Sequence, residues 1–341
     1  MVFVWLKFAV CTIIIFFSGK RVAKYGDVIA EKTGLGGLWI GVILVAIATS
    51  LPEIFTGVGS TLFVNAPNLT IGNLFGANTY NLLNIAILDF LNRGSPLLST
   101  VSPGQLLTAE LSLIPLLIAS LGIFLTPRLP QYSFADISLY SAMILIAYLL
   151  SIRIIFRFER SNRRELAELR KEEEALFKYN DISLKKACIF YAAFATMIAG
   201  AGIWLAYIGT DLAQLLGLGQ NFVGSLFIGF TTTLPEITVS VAALRIGAKE
   251  LAVANMFGSN LFNMSIIFLN DVLYRKAPIF EVLSQQHIFT AGIVILMTTI
   301  VCAGLILKPK KKMVLRLSNY AIALIITFIL GAYVNFILRS R

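Results

Sequence analysis

Long runs of apolar residues, separated by short polar segments, extend along almost the whole chain. A run of about 20 apolar residues is long enough to cross the hydrocarbon core of a bilayer as an α-helix. Ten runs reach that length, so the pattern predicts ten transmembrane helices. Their approximate bounds are residues 2–18, 35–63, 68–90, 105–125, 133–156, 187–208, 221–244, 250–272, 288–307 and 318–338.

The longest polar stretch, residues 157–186, divides the ten predicted spans into two groups of five. It contains RRELAELRKEEEALFKY, which is highly charged and favours helix formation. The sequence therefore predicts three parts. These are a five-helix unit at residues 1–156, a charged cytoplasmic loop at 157–186, and a second five-helix unit at 187–341.

Composition supports a lipid environment. Hydrophobic residues make up 57% of the 341 positions and charged residues only 13%, whereas soluble domains carry about 25% charged residues. We therefore expect the lipid bilayer to be the main partner of the surface. The net charge of +10 would suit nucleic acid, but the basic residues lie in short loops between apolar runs. That placement indicates membrane orientation, so no nucleic-acid partner is expected.

Basic residues also predict the orientation. If residues 157–186 are cytoplasmic, the loops on the same side hold most of the 28 Lys and Arg residues. The positive-inside rule then places both termini outside, in a multi-pass protein of the cell membrane. A cleaved signal peptide is the alternative for residues 2–18. However, Lys20 and Arg21 follow this apolar run, and no small-residue cleavage motif comes after it.

Two motifs occur twice. TSLPE at residues 49–53 recurs as TTLPE at 232–236, and GNLFGANTYN at 72–81 recurs as ANMFGSNLFN at 254–263. Because each half has an odd number of spans, the second half enters the membrane with opposite polarity. Inverted repeats are typical of transporters whose substrate binds near the midplane. We therefore predict an all-α integral membrane protein with ten transmembrane helices in two inverted five-helix repeats.

Each TxLPE-type motif places a glutamate, Glu53 or Glu236, near the middle of a predicted span. A carboxylate at the bilayer centre costs at least about 2.5–3.5 kcal/mol, so it needs a partner or a watery cavity. No Lys or Arg lies at comparable depth in the sequence. A bound cation is the partner we expect. The alternative is a pair of protonated, hydrogen-bonded structural carboxyls.

A proline precedes each glutamate. Pro52 and Pro235 cannot donate an N–H to the helix, and their rings clash with the carbonyl four residues back. We expect the helices to break at residues 48–49 and 231–232, which frees carbonyl oxygens of the kind that hard cations prefer. Main-chain groups without helical hydrogen bonds are tolerated in the middle of the membrane only where they line a cavity or are buried in protein. A kink that serves packing alone is the alternative.

The third and eighth predicted spans carry a polar stripe. Residues four apart share one face of a helix, and each stripe follows that spacing. The stripes are Asn73, Ala77 and Asn81 in the first half, and Asn255, Ser259 and Asn263 in the second. Amide hydrogen bonds between helices are the structural alternative to contact with an ion.

Taken together, these motifs resemble the two alpha-repeats of the calcium/cation antiporter superfamily, especially its sodium/calcium exchanger branch. The resemblance implies that Glu53 and Glu236 bind Ca²⁺ with the main-chain carbonyls of Thr49 and Thr232. It further implies binding of Na⁺, or another counter-ion, by oxygens of the neighbouring polar residues. Those residues are Ser50, Asn81, Thr233, Ser259 and Asn263.

The chain departs from the family pattern at two positions. Ala77 lacks the hydroxyl of the expected serine, and Asn263 stands where microbial relatives often have aspartate. Two carboxylates still balance one Ca²⁺, but they leave fewer ligands for several Na⁺ ions. The counter-ion therefore stays open between Na⁺ and H⁺.

We predict a secondary antiporter that exchanges Ca²⁺ for a monovalent cation, Na⁺ first, by alternating access. An H⁺/Ca²⁺ antiporter and a passive cation channel are the alternatives. The prediction includes no catalytic residues and no cofactor, only the transported ions. With one histidine and no H-E-x-x-H motif, the sequence offers nothing for metalloprotease chemistry.

Overall fold

A computed structural model of the chain describes residues 1–33, 45–129, 133–134, 136–161, 182–313 and 316–338. The beginning of the second predicted span, most of the charged segment 157–186 and the last three residues lie outside these ranges. The predictions made for those segments therefore lie outside the described residues.

Almost all of the described chain is helical, and its main helices follow the order of the apolar runs. We number them α1 Val2–Lys32, α2 Leu51–Val58, α3 Pro67–Leu91, α4 Gly104–Leu125, α5 Leu139–Ser161, α6 Leu184–Leu216, α7 Gln220–Arg245, α8 Lys249–Leu273, α9 His287–Leu307 and α10 Asn319–Leu338. The short elements are 3₁₀ turns at Leu97–Ser99 and Ile279–Val282, and a hairpin of β1 Ser133–Phe134 and β2 Ile137–Ser138.

Eight helices in the described ranges, all except α2 and α3, are long and apolar enough to cross a membrane. Helix α3 is 25 residues long, but it carries many polar residues and is largely buried. Helix α2 covers only the later part of the second predicted span. The chain is thus an all-α, multi-pass membrane protein.

Two helices are much longer than predicted. Helix α1 has 31 residues, where the apolar run ended at residue 18, and α6 has 33. At a rise of 1.5 Å per residue, 31 residues span about 46 Å, which exceeds the roughly 30 Å hydrocarbon core. The basic stretch after Ser18, predicted as a loop, is helical because Val22, Tyr25 and Val28 recur at helical spacing and are buried.

Helices α3 and α8 form the centre of the molecule, and α1 and α6 lie at its periphery. In its most apolar window α8 is 72% buried, against 22% for α1 and α6. Helices α1 and α6 pack on each other along their length, and α3 packs on α8. The polar stripes of α3 and α8 are therefore buried between helices, away from the lipid-facing surface.

One buried aspartate near the end of each central helix caps other elements. Asp89 in α3 and Asp271 in α8 each accept two main-chain N–H hydrogen bonds of 2.6–2.9 Å. The donors are Leu97 and Ser318 for Asp89, and Ile279 and Ser138 for Asp271. These carboxylates therefore serve as structural caps at equivalent places in the two halves.

Candidate ion-binding site

The two helical segments that carry the TSLPE and TTLPE motifs, here called the motif helices, are interrupted just before their prolines. Residues 45–49 are helical, Ser50 departs from helical geometry with φ −87° and ψ 10°, and α2 then begins at Leu51. In α7, Thr233 has φ −83° and ψ 0° between two helical pieces. Each interruption lies one residue beyond the predicted break, two residues before the proline.

The two glutamates lie in the first turn after these interruptions. Glu53 and Glu236 are each 0% exposed, and the hydrogen bond from Ser50 to Glu236 joins the two interrupted segments that precede them. A helix N-terminus carries partial positive charge, which favours a carboxylate in its first turn. Neither glutamate forms an ion pair with a described basic residue. Within the described residues, no basic side chain would therefore balance a negative charge on either glutamate.

The surroundings of Glu236 are polar. The hydroxyl of Ser50, from the other half, donates to Oε1 of Glu236 at 3.1 Å. Asn255 Nδ2 donates to the main-chain oxygen of Glu236 at 3.3 Å. The equivalent hydroxyl, that of Thr233, instead donates to the main-chain oxygen of Gly229 at 2.8 Å. The two halves thus place this hydroxyl differently.

Each motif threonine contacts an asparagine of the opposite half. Thr232 Oγ1 donates to Oδ1 of Asn73 at 3.0 Å, and Thr49 Oγ1 lies 3.5 Å from Oδ1 of Asn255. These contacts fix the side chains of both threonines between the two halves. Thr49 and Thr232, whose main-chain carbonyls are the predicted Ca²⁺ ligands, end the helical pieces just before the interruptions.

An asparagine cluster joins α3 and α8. Asn81 Nδ2 donates to Oδ1 of Asn260 at 3.1 Å, and Asn263 Nδ2 donates to Oδ1 of Asn78 at 3.0 Å. Asn78 and Asn260 were not among the residues expected from the polar stripes. The sequence did contain a sign of their role, because they occupy equivalent positions in the repeated GNLFGANTYN and ANMFGSNLFN motifs.

Several buried oxygens of the site have no hydrogen-bond partner among the described residues. They are both carboxylate oxygens of Glu53, Oε2 of Glu236, Oδ1 of Asn81, Oδ1 of Asn263 and the hydroxyl of Ser259. A buried polar atom without a partner is costly. Nδ2 of Asn73 also lacks a partner, but the atoms around the two glutamates are mainly oxygens, the ligand type of hard cations such as Ca²⁺.

The site combines two carboxylates with neutral oxygens of serine and asparagine. This donor set suits hard cations better than soft transition metals. Within the described ranges, no group of three or more His, Cys, Asp or Glu side chains could hold a metal ion. Ala77 is 0% exposed and adds no ligand.

Glycines bring α1 and α6 against the two motifs. Gly19 of α1 contacts the ring of Pro235 so closely that an added Cβ would overlap it. In α6, a Cβ at Gly202 would lie 2.9 Å from Cβ of Phe55, two residues after Glu53. Each peripheral helix therefore packs directly against the motif of the other half.

Comparison with known proteins identifies the family of the chain. A family profile described as sodium/calcium exchanger protein matches residues 3–170 and 185–339. Inner membrane protein YrbG of Escherichia coli K12 is 26% identical over 255 residues, covering 75% of this chain and 75% of that protein. Sodium/calcium exchanger MaX1 of Methanosarcina acetivorans is 24% identical over 304 residues, covering 81% and 84%.

Solved structures show the same fold. The sodium-calcium exchanger NCX_Mj, soaked with zero Na⁺ and Ca²⁺, aligns with a TM-score of 0.59 and 18% identity, covering 98% of this chain and 99% of that one. Native YfkE aligns with a TM-score of 0.64 and 15% identity, covering 97% and 92%. At these identities the likeness concerns the fold.

These findings define an ion-transporting membrane protein. The chain belongs to the sodium/calcium exchanger family, within the calcium/cation antiporter superfamily, because the profile matches nearly its whole length. Its family is one of transporters, so the chain is an antiporter of Ca²⁺ and another cation and not an enzyme.

Proposed function

We propose that the chain exchanges cytoplasmic Ca²⁺ for external Na⁺ by alternating access at one shared site. The observation that carries this proposal is the pair Glu53 and Glu236. Both are fully buried, lie next to interrupted helices, and are surrounded by oxygens that lack partners within the described residues. Such a site suits a cation that leaves its hydration shell.

Charge balance provides the coupling. Two carboxylates neutralise one Ca²⁺, whereas the empty site holds two like charges in a low-dielectric region, where repulsion is strong. Switching between inward-open and outward-open states is therefore favoured when ions occupy the site. Because Ca²⁺ and the counter-ion use the same carboxylates, they compete, and net movement of one requires movement of the other.

The proposed ligands follow from the repeated motifs. Glu53 and Glu236 bind Ca²⁺ through their carboxylates, and Thr49 and Thr232 bind it through main-chain carbonyls. The counter-ion uses neighbouring oxygens. These belong to Ser50, Asn81, Thr233, Ser259 and Asn263, of which Asn81, Ser259 and Asn263 each keep a partnerless oxygen in the described structure.

The proposal includes the architecture and the orientation. Ten spans form two inverted repeats, at residues 1–156 and 187–341, joined by a cytoplasmic loop at 157–186. Both termini are outside the cell membrane. The matched hydrogen bonds of the two halves, from the threonine–asparagine contacts to the aspartate caps, support equivalent roles for equivalent residues.

Transport in reconstituted vesicles tests the proposal. Uptake of labelled Ca²⁺ is measured under Na⁺ and H⁺ gradients imposed separately, with Glu53→Gln as the inactive control. A Na⁺ gradient should drive uptake against a Ca²⁺ gradient. Uptake driven only by H⁺ would replace Na⁺ by the proton as counter-ion. Ca²⁺ movement that needs no counter-ion would indicate a channel and overturn antiport.

A further inference from the structure

Beyond the site, α2 continues with a row of hydroxyls. Thr56 and Ser60 follow Glu53 by three and seven residues, the spacing of one helix face. Ser60 lies in a π-helical turn, Gly59–Phe63, that directly extends α2. The row therefore leads from Glu53 toward the membrane side at which the first motif helix ends.

Both hydroxyls are buried and lack partners in the described structure. Thr56 and Ser60 are each 0% exposed, and neither Oγ atom has a hydrogen bond. A buried helical Ser or Thr commonly bonds to the carbonyl of its preceding turn. The neighbouring Thr61 does so: its hydroxyl donates to the oxygen of Gly57 at 2.8 Å and also lies 2.9 Å from Oδ1 of Asn270.

The other half has no such row. At the positions equivalent to Thr56 and Ser60, α7 carries Val239 and Ala243. The fold thus accommodates apolar side chains at this place in a motif helix. The two partnerless hydroxyls therefore need an explanation other than packing, because each carries the cost of a buried polar group without a partner.

We propose that Thr56 and Ser60 form an access site, at which an alkali or alkaline-earth cation exchanges water for hydroxyl oxygens on its way to Glu53. This inference rests on the proposed function. In the orientation proposed above, α2 ends on the external side, so the hydroxyls serve external entry and exit. The equivalent positions of α7, Val239 and Ala243, are apolar and offer no such step. The buried Ser240 between them already accepts a hydrogen bond from Asn255.

A double variant that copies the second half tests the access site. Thr56→Val with Ser60→Ala removes both hydroxyls with little change of shape. We expect Ca²⁺ exchange in proteoliposomes to slow about tenfold, since a lost hydroxyl contact is worth up to about one power of ten. Equilibrium binding of Ca²⁺ in detergent should stay unchanged, because the carboxylates remain. The matched control is Thr298→Val, which removes a buried α9 hydroxyl bonded to its own helix.

Two results of this experiment would overturn the inference. An exchange rate equal to that of the parent would show that the hydroxyls play no part in access. A loss of equilibrium Ca²⁺ binding by the same factor as the rate would place them in the deep site instead.

Thiol labelling gives a second, independent measurement. Ser60→Cys is made in a background of Cys11→Ala, Cys188→Ala and Cys302→Ala and treated with a cationic, membrane-impermeant thiol reagent. We expect labelling from the external side only, and none of Thr298→Cys. Absence of labelling at residue 60 would overturn the inference. If the parent fails to exchange Ca²⁺, the proposed function fails, and labelling still reports whether ions and water reach Ser60.

Discussion

Glu53 and Glu236 occupy equivalent positions in the two motifs, yet their carboxylates differ in how the protein holds them. Glu236 accepts a hydrogen bond from Ser50 through Oε1. Neither carboxylate oxygen of Glu53 has a hydrogen bond within the described residues. Glu236 is thus oriented by a hydrogen bond from the other half, and Glu53 has no equivalent bond from Thr233.

The difference comes from one pair of residues. Ser50 has a small side chain that reaches across to the opposite carboxylate, whereas the hydroxyl of Thr233 bonds to its own helix. The repeated motif therefore sets the positions of the two glutamates. The hydroxyls of Ser50 and Thr233 then determine which carboxylate is oriented by a hydrogen bond when no ion is bound. If the asymmetry matters for transport, substitutions at the two carboxylates, at their packing and at the single hydroxyls should have effects of decreasing size.

The largest effect is expected from removing either charge. Glu53→Gln and Glu236→Gln should each abolish Ca²⁺ transport, because one carboxylate cannot balance a divalent ion in a low-dielectric site. Both variants should stay folded, with unchanged or higher thermal stability without Ca²⁺, since a buried charge is removed. Labelled Ca²⁺ uptake and thermal melting measure the two effects.

Calcium itself gives the matched control for these variants. At about 100 times its dissociation constant, Ca²⁺ should stabilise the parent by about 2.7 kcal/mol through mass action, and it should stabilise neither variant. Parental transport rates in both variants would show that the carboxylates are structural. Loss of Ca²⁺ transport in only one of the two variants would show that only one carboxylate is required, so that the two glutamates differ in function as well as in hydrogen bonding.

The next effect concerns the contact of α1 with the second motif. Gly19→Ala should slow exchange about tenfold and destabilise the protein by about 1–3 kcal/mol, because the new methyl overlaps the ring of Pro235. Gly200→Ala in α6 is the control, since nothing lies within 4 Å of its Cβ position. If the two variants behave alike, close packing against Pro235 is not needed for transport.

The sequence predicted much of this molecule. Periodic apolar runs located the helices, and duplicated motifs located Glu53 and Glu236 in the interior. The sequence did not predict the full length of α1. Lys20 and Arg21 resemble the start of a loop, but buried apolar residues continue at helical spacing after them. The sequence also missed Asn78 and Asn260, because their role depends on how α3 and α8 cross. The crossing angle of two helices cannot be derived from a single sequence.

A smaller effect is expected from the hydroxyls that create the asymmetry. Ser50→Ala should weaken Ca²⁺ binding about tenfold, because a hydrogen bond to a charged group contributes about 1.5 kcal/mol or more. Thr233→Val should change it much less, since that hydroxyl bonds within its own helix. Ca²⁺ titrations without Na⁺ measure both. Equal losses would contradict the asymmetry between the two carboxylates.

The smallest effect is a change in the steepness of Na⁺ dependence. Ala77→Ser supplies a hydroxyl at a fully buried position of α3, and Asn263→Asp adds a charge on α8 near the partnerless oxygens. More oxygens and more negative charge should allow more Na⁺ ions to bind together. The Hill slope of Na⁺-driven Ca²⁺ uptake should therefore rise in the double variant.

The two substitutions have different structural costs, so they are also measured singly. Ala77→Ser adds an oxygen without removing a contact, whereas Asn263→Asp removes the amide that donates to Asn78 Oδ1 at 3.0 Å and brings two acceptors together. We expect Ala77→Ser alone to raise the slope with little loss of stability. The aspartate should raise it further but lower the melting temperature in the absence of Na⁺. If the double variant keeps the parental slope while remaining folded, positions 77 and 263 do not determine Na⁺ coupling.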